Sequence, residues 1–171
     1  MTEAVIFDID GTLAYNFERM SAITQARADR MGITVEDLRT QHVPWTSEDW
    51  EAFHAQCHLD KPIRPMCEIA TGILRLGRYV PLFVTGRMES CRDVTISWLW
   101  DSVAYYPECR SHLFMRPKGD HRPGHELKED ILDRLILPRW KPVLAFEDDP
   151  NITAMWRRRG ILVAHVGEWK S

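Results

Sequence analysis

Residues 4–13 read Ala4-Val5-Ile6-Phe7-Asp8-Ile9-Asp10-Gly11-Thr12-Leu13. An apolar run of β-branched and aromatic residues, closed by carboxylates and a glycine, predicts a buried strand that ends at a working surface. In an extended strand, side chains two apart point the same way, so Asp8 and Asp10 are expected to leave the carboxyl end on one side. Paired carboxylates are unfavourable unless a cation lies between them or one keeps a proton, and both arrangements serve phosphate chemistry. Gly11 permits a sharp turn that brings backbone N–H groups toward an incoming anion.

The pattern returns further along. Tyr79–Val84 is a second apolar run ending in Thr85-Gly86-Arg87, before a helix expected over Glu89–Trp100. A hydroxyl and a guanidinium at a strand end suit phosphate oxygens. Pro142–Phe146 closes on Glu147-Asp148-Asp149; a hard cation with oxygen ligands accounts for these acids, although Asp149 also suits the cap of a helix starting at Pro150. Short strands at His112–Arg116 and Ile161–Ala164, with helices opening at Pro65, carrying Leu127–Ile136, and running through Met155-Trp156, complete the alternation. It predicts an α/β fold, a parallel sheet with helices on both faces and all these strand ends along one rim. Lys128 opposes the dipole at its helix start, which makes sense if it neutralises anions in a shared site.

Residues 15–60 interrupt the alternation with a polar, aromatic-studded insertion of helical period, with helices near Glu18–Met31 and Ser47–His58. It is expected to form a small helical cap over the first strand's carboxyl end, with Trp45, Trp50 and Phe53 most simply read as packing it onto the core.

The 171 residues, 44% hydrophobic and 27% charged, fit a single soluble domain over 1–171. A net charge of -3 supplies no global field toward nucleic acid, so such binding must be local. The run Arg157-Arg158-Arg159 reads as a solvated helix end or as a local patch. Four cysteines without a C-x-x-C pair, no signal peptide and no membrane-length apolar span predict free thiols and a cytoplasmic location. His54, Cys57 and His58, or His121 and His125, do not complete a four-ligand zinc pattern.

The stations Asp8-Ile9-Asp10-Gly11-Thr12, Thr85-Gly86-Arg87, Lys128 and Glu147-Asp148-Asp149, in this order, resemble the motifs of the haloacid dehalogenase superfamily of phosphatases. The resemblance implies a Rossmann-like sheet with a cap inserted after the first strand, and Mg²⁺-dependent attack by an aspartate on a phosphomonoester. Asp8 is then the nucleophile, and Asp10 the acid–base, kept protonated by acidic neighbours. Thr85 and Lys128 hold the transferring group, with Gly11, Thr12 and Gly86 beside it. Mg²⁺ falls to the Asp8 carboxylate, the Asp10 carbonyl and Asp148, with Glu147 reaching it through water.

Phe114-Met115-Arg116, Gly119-Asp120-His121-Arg122, Lys128-Glu129-Asp130-Ile131 and Met155-Trp156-Arg157-Arg158 are similar to the 3′-phosphatase domain of bacteriophage-type polynucleotide kinases. That likeness implies a polynucleotide 3′-phosphatase acting on a phosphorylated nucleic-acid end, with Arg19 and Arg87 at the phosphate. A phosphatase of free nucleotides or another small phosphomonoester is the alternative, and a non-catalytic binding protein a third. No G-x-x-x-x-G-K-[ST] stretch is present, so 5′-phosphorylation is not expected, and neither is a membrane or an obligate protein partner. Two positions depart from the pattern. Gly124 replaces an aspartate upstream of the helix lysine, so Lys128 is expected to lack an orienting partner, and Glu147 stands where aspartate is commoner.

Overall fold

A computed structural model describes residues 1–167; the last four residues of the expected domain, 168–171, lie outside the described residues. The chain opens with β1 (Thr2–Phe7) and a short β2 (Ala14–Tyr15), then α1 (Phe17–Met31), α2 (Val35–Thr40), α3 (Ser47–Ala55) and β3 (Lys61–Pro62). After these come α4 (Arg64–Leu76), β4 (Val80–Met88), α5 (Arg92–Ser102), α6 (Cys109–His112) and β5 (Leu113–Arg116). The last elements are α7 (Gly124–Ile131), β6 (Trp140–Glu147), α8 (Pro150–Arg158) and β7 (Leu162–His165).

Five strands form one parallel sheet in the order β5-β4-β1-β6-β7. Side chains of the central strand alternate between two cores. Val5 and Phe7 pack with Cys67 and Ala70 of α4 and Ile96 and Leu99 of α5, whereas Ala4 and Ile6 pack with Leu127 and Ile131 of α7 and Met155 and Trp156 of α8. Burial on both faces is why residues 4–7 are uniformly apolar. From β1 the chain builds β4 and β5 on one side and returns to β6 and β7 on the other. The crevice at that switch point opens over the carboxyl end of β1, where open α/β sheets bind ligands.

The insertion leaves and returns through an antiparallel neck, Ala14 opposite Pro62 and Tyr15 opposite Lys61. Two of its helices start on capping boxes, α2 on Thr34 with Asp37 and α3 on Thr46 with Asp49, so α3 begins at the expected Ser47. The helix expected to reach His58 stops at Ala55, and Cys57–Leu59 tighten into a 3₁₀ turn. The short α2 and α6 were not anticipated, and β4 runs beyond Val84 to Met88, carrying Thr85, Gly86 and Arg87 within the strand.

The arginine run resolves into ion pairs: Arg158 and Arg159 bind Glu129, and Arg159 also binds Asp133. Two of its three charges are thus paired on α7 and the turn that follows it. Cys57, Cys67, Cys91 and Cys109 are free and buried, and no described helix is long and apolar enough to cross a membrane.

Candidate active site

The strand ends at Phe7 and gives way to a tight loop. The Asp8 N–H extends the pairing onto the Phe146 carbonyl at 3.0 Å, while the Ile9 carbonyl accepts the N–H groups of Leu13 and Ala14, each at 2.8 Å. Gly11 takes the left-handed φ of +91° that closes the loop. Past the end of the strand the two acids turn to different partners. Both line the same cavity.

Asp8 is buried, and the Lys128 ammonium donates to its Oδ1 at 2.6 Å and to Glu147 Oε2 at 2.8 Å. The Trp156 indole N–H adds a third contact, to the same Glu147 oxygen at 3.3 Å. Lys128 is therefore fully oriented, contrary to the expectation drawn from Gly124. A Cβ on Gly124 would meet Ile152 Cδ1 at 3.2 Å, so this helix start packs on a side chain where a carboxylate was expected. Asp148 completes an acidic group in which one ligand oxygen each from Asp8, Glu147 and Asp148 lies within 4.8 Å of the others.

One ammonium does not balance three carboxylates. Burial pushes Asp8 up to about 7 despite Lys128, and burial together with the Asp8 charge pushes Asp148 up to about 7. Lys128 is itself lowered by burial, but its two carboxylates more than reverse this. The donor set is all oxygen, buried and short of positive charge, which fits a hard divalent cation. Gly11 is part of the fit, because a Cβ there would stand 2.0 Å from Asp148 Oδ2. Among the described residues this is the one such group, so His54, Cys57 and His58 form no zinc cluster.

Asp10 corrects the expectation that acidic neighbours keep it protonated. Its carboxylate receives Arg87 Nη2 at 2.7 Å and Nε at 3.1 Å, and Arg19 Nη2 at 2.6 Å. Burial alone would raise it, but Arg87 and then Arg19 hold it well below the usual carboxylate range. The same guanidiniums clamp Asp60, at 2.7 Å from Arg87 and 2.8 Å from Arg19, and burial pushes Asp60 up to about 6. Arg19 and Arg87 are almost wholly buried and do not line the cavity. The structure brings them to Asp10 and Asp60; their expected place at the phosphate is taken up by this ion-pair cluster.

Gly86 lines the cavity, whereas Thr12 and Thr85 are fully buried beneath it. Thr85 Oγ1 accepts the Arg87 N–H at 3.2 Å, and Thr12 Oγ1 has no partner. The cavity measures about 770 Å³. Its floor is Asp8, Asp10, Glu147 and Asp148, one wall is Trp45, Trp50, Phe53 and His54 from the insertion, and the other is the Arg116–Pro123 loop. Sequence reasoning missed Asp60, His54 and Arg116 as site residues. Arg116 reaches the Gly86, Asp120 and Arg122 carbonyls, fixing that loop to β4. Its place at a strand end, in the Phe114-Met115-Arg116 segment that carries the family likeness, was the signal for it.

A parallel sheet with this acid and lysine arrangement at its switch point defines a phosphatase of the haloacid dehalogenase superfamily. Residues 46–169 match the sequence model of the polynucleotide kinase PNKP phosphatase domain, and the chain belongs to that family. The fold agrees with that of solved structures. It superposes on a chain of the Pnkp1/Rnl/Hen1 complex with a TM-score of 0.68 at 18% identity, covering 100% of this chain and 48% of that one. It thus spans about half of that relative. It also resembles CbbY from Rhodobacter sphaeroides, determined with phosphate, with a TM-score of 0.61 at 16% identity, covering 100% of this chain and 90% of that one. A β-phosphoglucomutase-like protein of Bacteroides vulgatus gives 0.59 at 17% identity, covering 99% and 78%.

Proposed function

We propose that the protein is a Mg²⁺-dependent polynucleotide 3′-phosphatase that works through an aspartyl-phosphate on Asp8. The family match over residues 46–169 carries this reading, since it takes in Trp50, Phe53 and His54 of one wall, the Arg116–Pro123 loop of the other, and Lys128, Glu147 and Asp148, while Asp8 and Asp10 precede it. The Pnkp1 chain with the same fold belongs to a complex described as an RNA repair complex, which is consistent with a nucleic-acid end as substrate.

Asp8 attacks phosphorus in line; its oxygen bonds to phosphorus as the ester oxygen leaves. Water then attacks the phosphoryl group and restores the carboxylate. Asp8, Asp148 and the Asp10 carbonyl would hold Mg²⁺, which would supply charge to offset the repulsion between carboxylate and phosphate. Lys128 holds Asp8 in place and counters charge spreading over the phosphoryl oxygens. Asp10 is ionised in the free protein, which suits it to take the proton of the hydrolytic water. The departing alcohol takes the proton that the phosphomonoester carries as its monoanion, passed on through Asp10, and the hydrolytic water then gives a proton to Asp10.

The test is Mg²⁺-dependent phosphate release from oligonucleotides phosphorylated at the 3′ or the 5′ end, with Asp8→Asn as blank. Release confined to the 3′ ester and absent from the blank supports the reading. Equal release from both ends overturns the polynucleotide 3′ assignment.

A further inference from the structure

We propose that the insertion wall of the cavity is a nucleobase subsite, in which the base of the substrate's terminal nucleotide stacks on Trp50 beside Trp45 and His54. This rests on the reading of the substrate as a nucleotide end.

A phosphoryl group at Asp8 fills a small part of about 770 Å³, so the rest of the cavity must receive the alcohol half of the ester. Trp50 lies on that side and keeps 38% of its surface exposed, although Trp45 approaches it to 4.5 Å between ring centroids and Phe53 meets it edge-on at 5.9 Å. A tryptophan serving only to join two layers is normally covered by them.

The wall is also held rigid from behind. Arg27 and Arg30 both bind the buried Asp49 of the α3 capping box, at 3.0 and 2.6 Å, and the Arg27 guanidinium lies 5.0 Å from the Trp45 ring. Phe53 rests on the Arg19 guanidinium at 3.8 Å, which ties the wall to the Asp10 cluster. Such fixing lowers the ordering cost of binding a flat ligand.

A second observation points to a ligand with polar edges. His54 also lines the cavity, its ring 6.0 Å from that of Trp50 at 21°; its Nδ1 is sealed from solvent without a partner, so the edge it can offer a ligand is Nε2. A ring nitrogen on the cavity side gives the wall a hydrogen-bonding edge beside its stacking face. A base offers both a stacking face and hydrogen-bonding edges.

The deciding comparison uses two 3′-phosphorylated oligonucleotides that differ only in whether the terminal sugar carries its base. With the native protein, loss of the base is expected to lower kcat/KM by about 5- to 100-fold, chiefly through KM. Trp50→Ala should close that gap and Trp50→Phe should keep most of it. A folding defect lowers both substrates together, so the ratio separates the two effects. Equal kcat/KM for both substrates with the native protein overturns the subsite, even if 3′-phosphatase activity stands. If oligonucleotides are not hydrolysed, a nucleoside 3′-monophosphate and ribose 3-phosphate make the same comparison. Should nothing turn over, tryptophan fluorescence of Asp8→Asn titrated with those two ligands decides it: quenching by the base-bearing ligand alone supports the subsite, and identical responses reject it.

Discussion

Gly11 and Asp148 are a fitted pair: a Cβ on the glycine would lie 2.0 Å from the Asp148 Oδ2 and 2.5 Å from its Cγ. The loop after β1 and the end of β6 thus approach as closely as backbone and carboxylate can, which draws Asp148 toward Asp8. Gly11→Ala must therefore displace the acid as well as adopt a φ of +91°. We expect a stability loss of about 1–2 kcal/mol, a fall in kcat/KM of at least about 100-fold, and a higher Mg²⁺ requirement. Thermal melts with metal-dependence curves for the variant check this.

Arg87 makes hydrogen bonds to both Asp10 and Asp60 with a fork that lysine does not possess. Arg87→Lys should lower kcat by about 10- to 100-fold with little change in KM, as expected for a group that holds Asp10 rather than the phosphate. A rise in KM at unchanged kcat would instead place the guanidinium on the substrate.

Cation binding should be visible without turnover. Because Asp8, Glu147 and Asp148 share one ammonium, Mg²⁺ should raise the melting temperature, by a stabilisation of about 2.7 kcal/mol at a hundredfold excess over Kd. Asp148→Asn should remove most of that rise, and a chelator should abolish phosphate release. Scanning calorimetry of both proteins across a Mg²⁺ series reads the effect directly.

His54 gives the fold a pH dependence of defined sign. Burial, helped by Arg19, Arg87 and Arg116 against the pull of Asp10, lowers it from 6.5 to about 4. Between those values the unfolded chain binds the proton and the folded chain does not. The associated stability is present above about pH 6.5 and is lost as pH falls toward 4, on the order of 3 kcal/mol in all. His54→Phe should remove this gain with rising pH and leave the opposite trend set by the raised carboxyls of Asp8, Asp60 and Asp148, read in urea titrations between pH 4 and 7.

The sheet was legible because its strands are buried on both faces and so carry continuous apolar runs, as at Ala4–Phe7. The short α2 and α6 escaped because four to six residues do not establish a helical period. At the site, Asp8, Lys128 and Asp148 stood out because strand ends and helix starts give away where charges meet. Pairing was less legible. Which cation faces Asp10 depends on Arg19 and Asp60, brought in by an insertion whose path only folding defines. Lys128 was misjudged on Gly124, a backbone neighbour, when its partners are Asp8 and Glu147 across the sheet.

The central claim is that this site serves the end of a polynucleotide. The most direct measurement is the ratio of kcat/KM for a 3′-phosphorylated oligonucleotide over that for the matching nucleoside 3′-monophosphate, at saturating Mg²⁺. The family match and the aromatic wall of the cavity lead us to expect a clear preference for the oligonucleotide, with the oligonucleotide also the stronger competitor when both are present. A ratio at or below one would contradict the account and leave a phosphatase of free nucleotides.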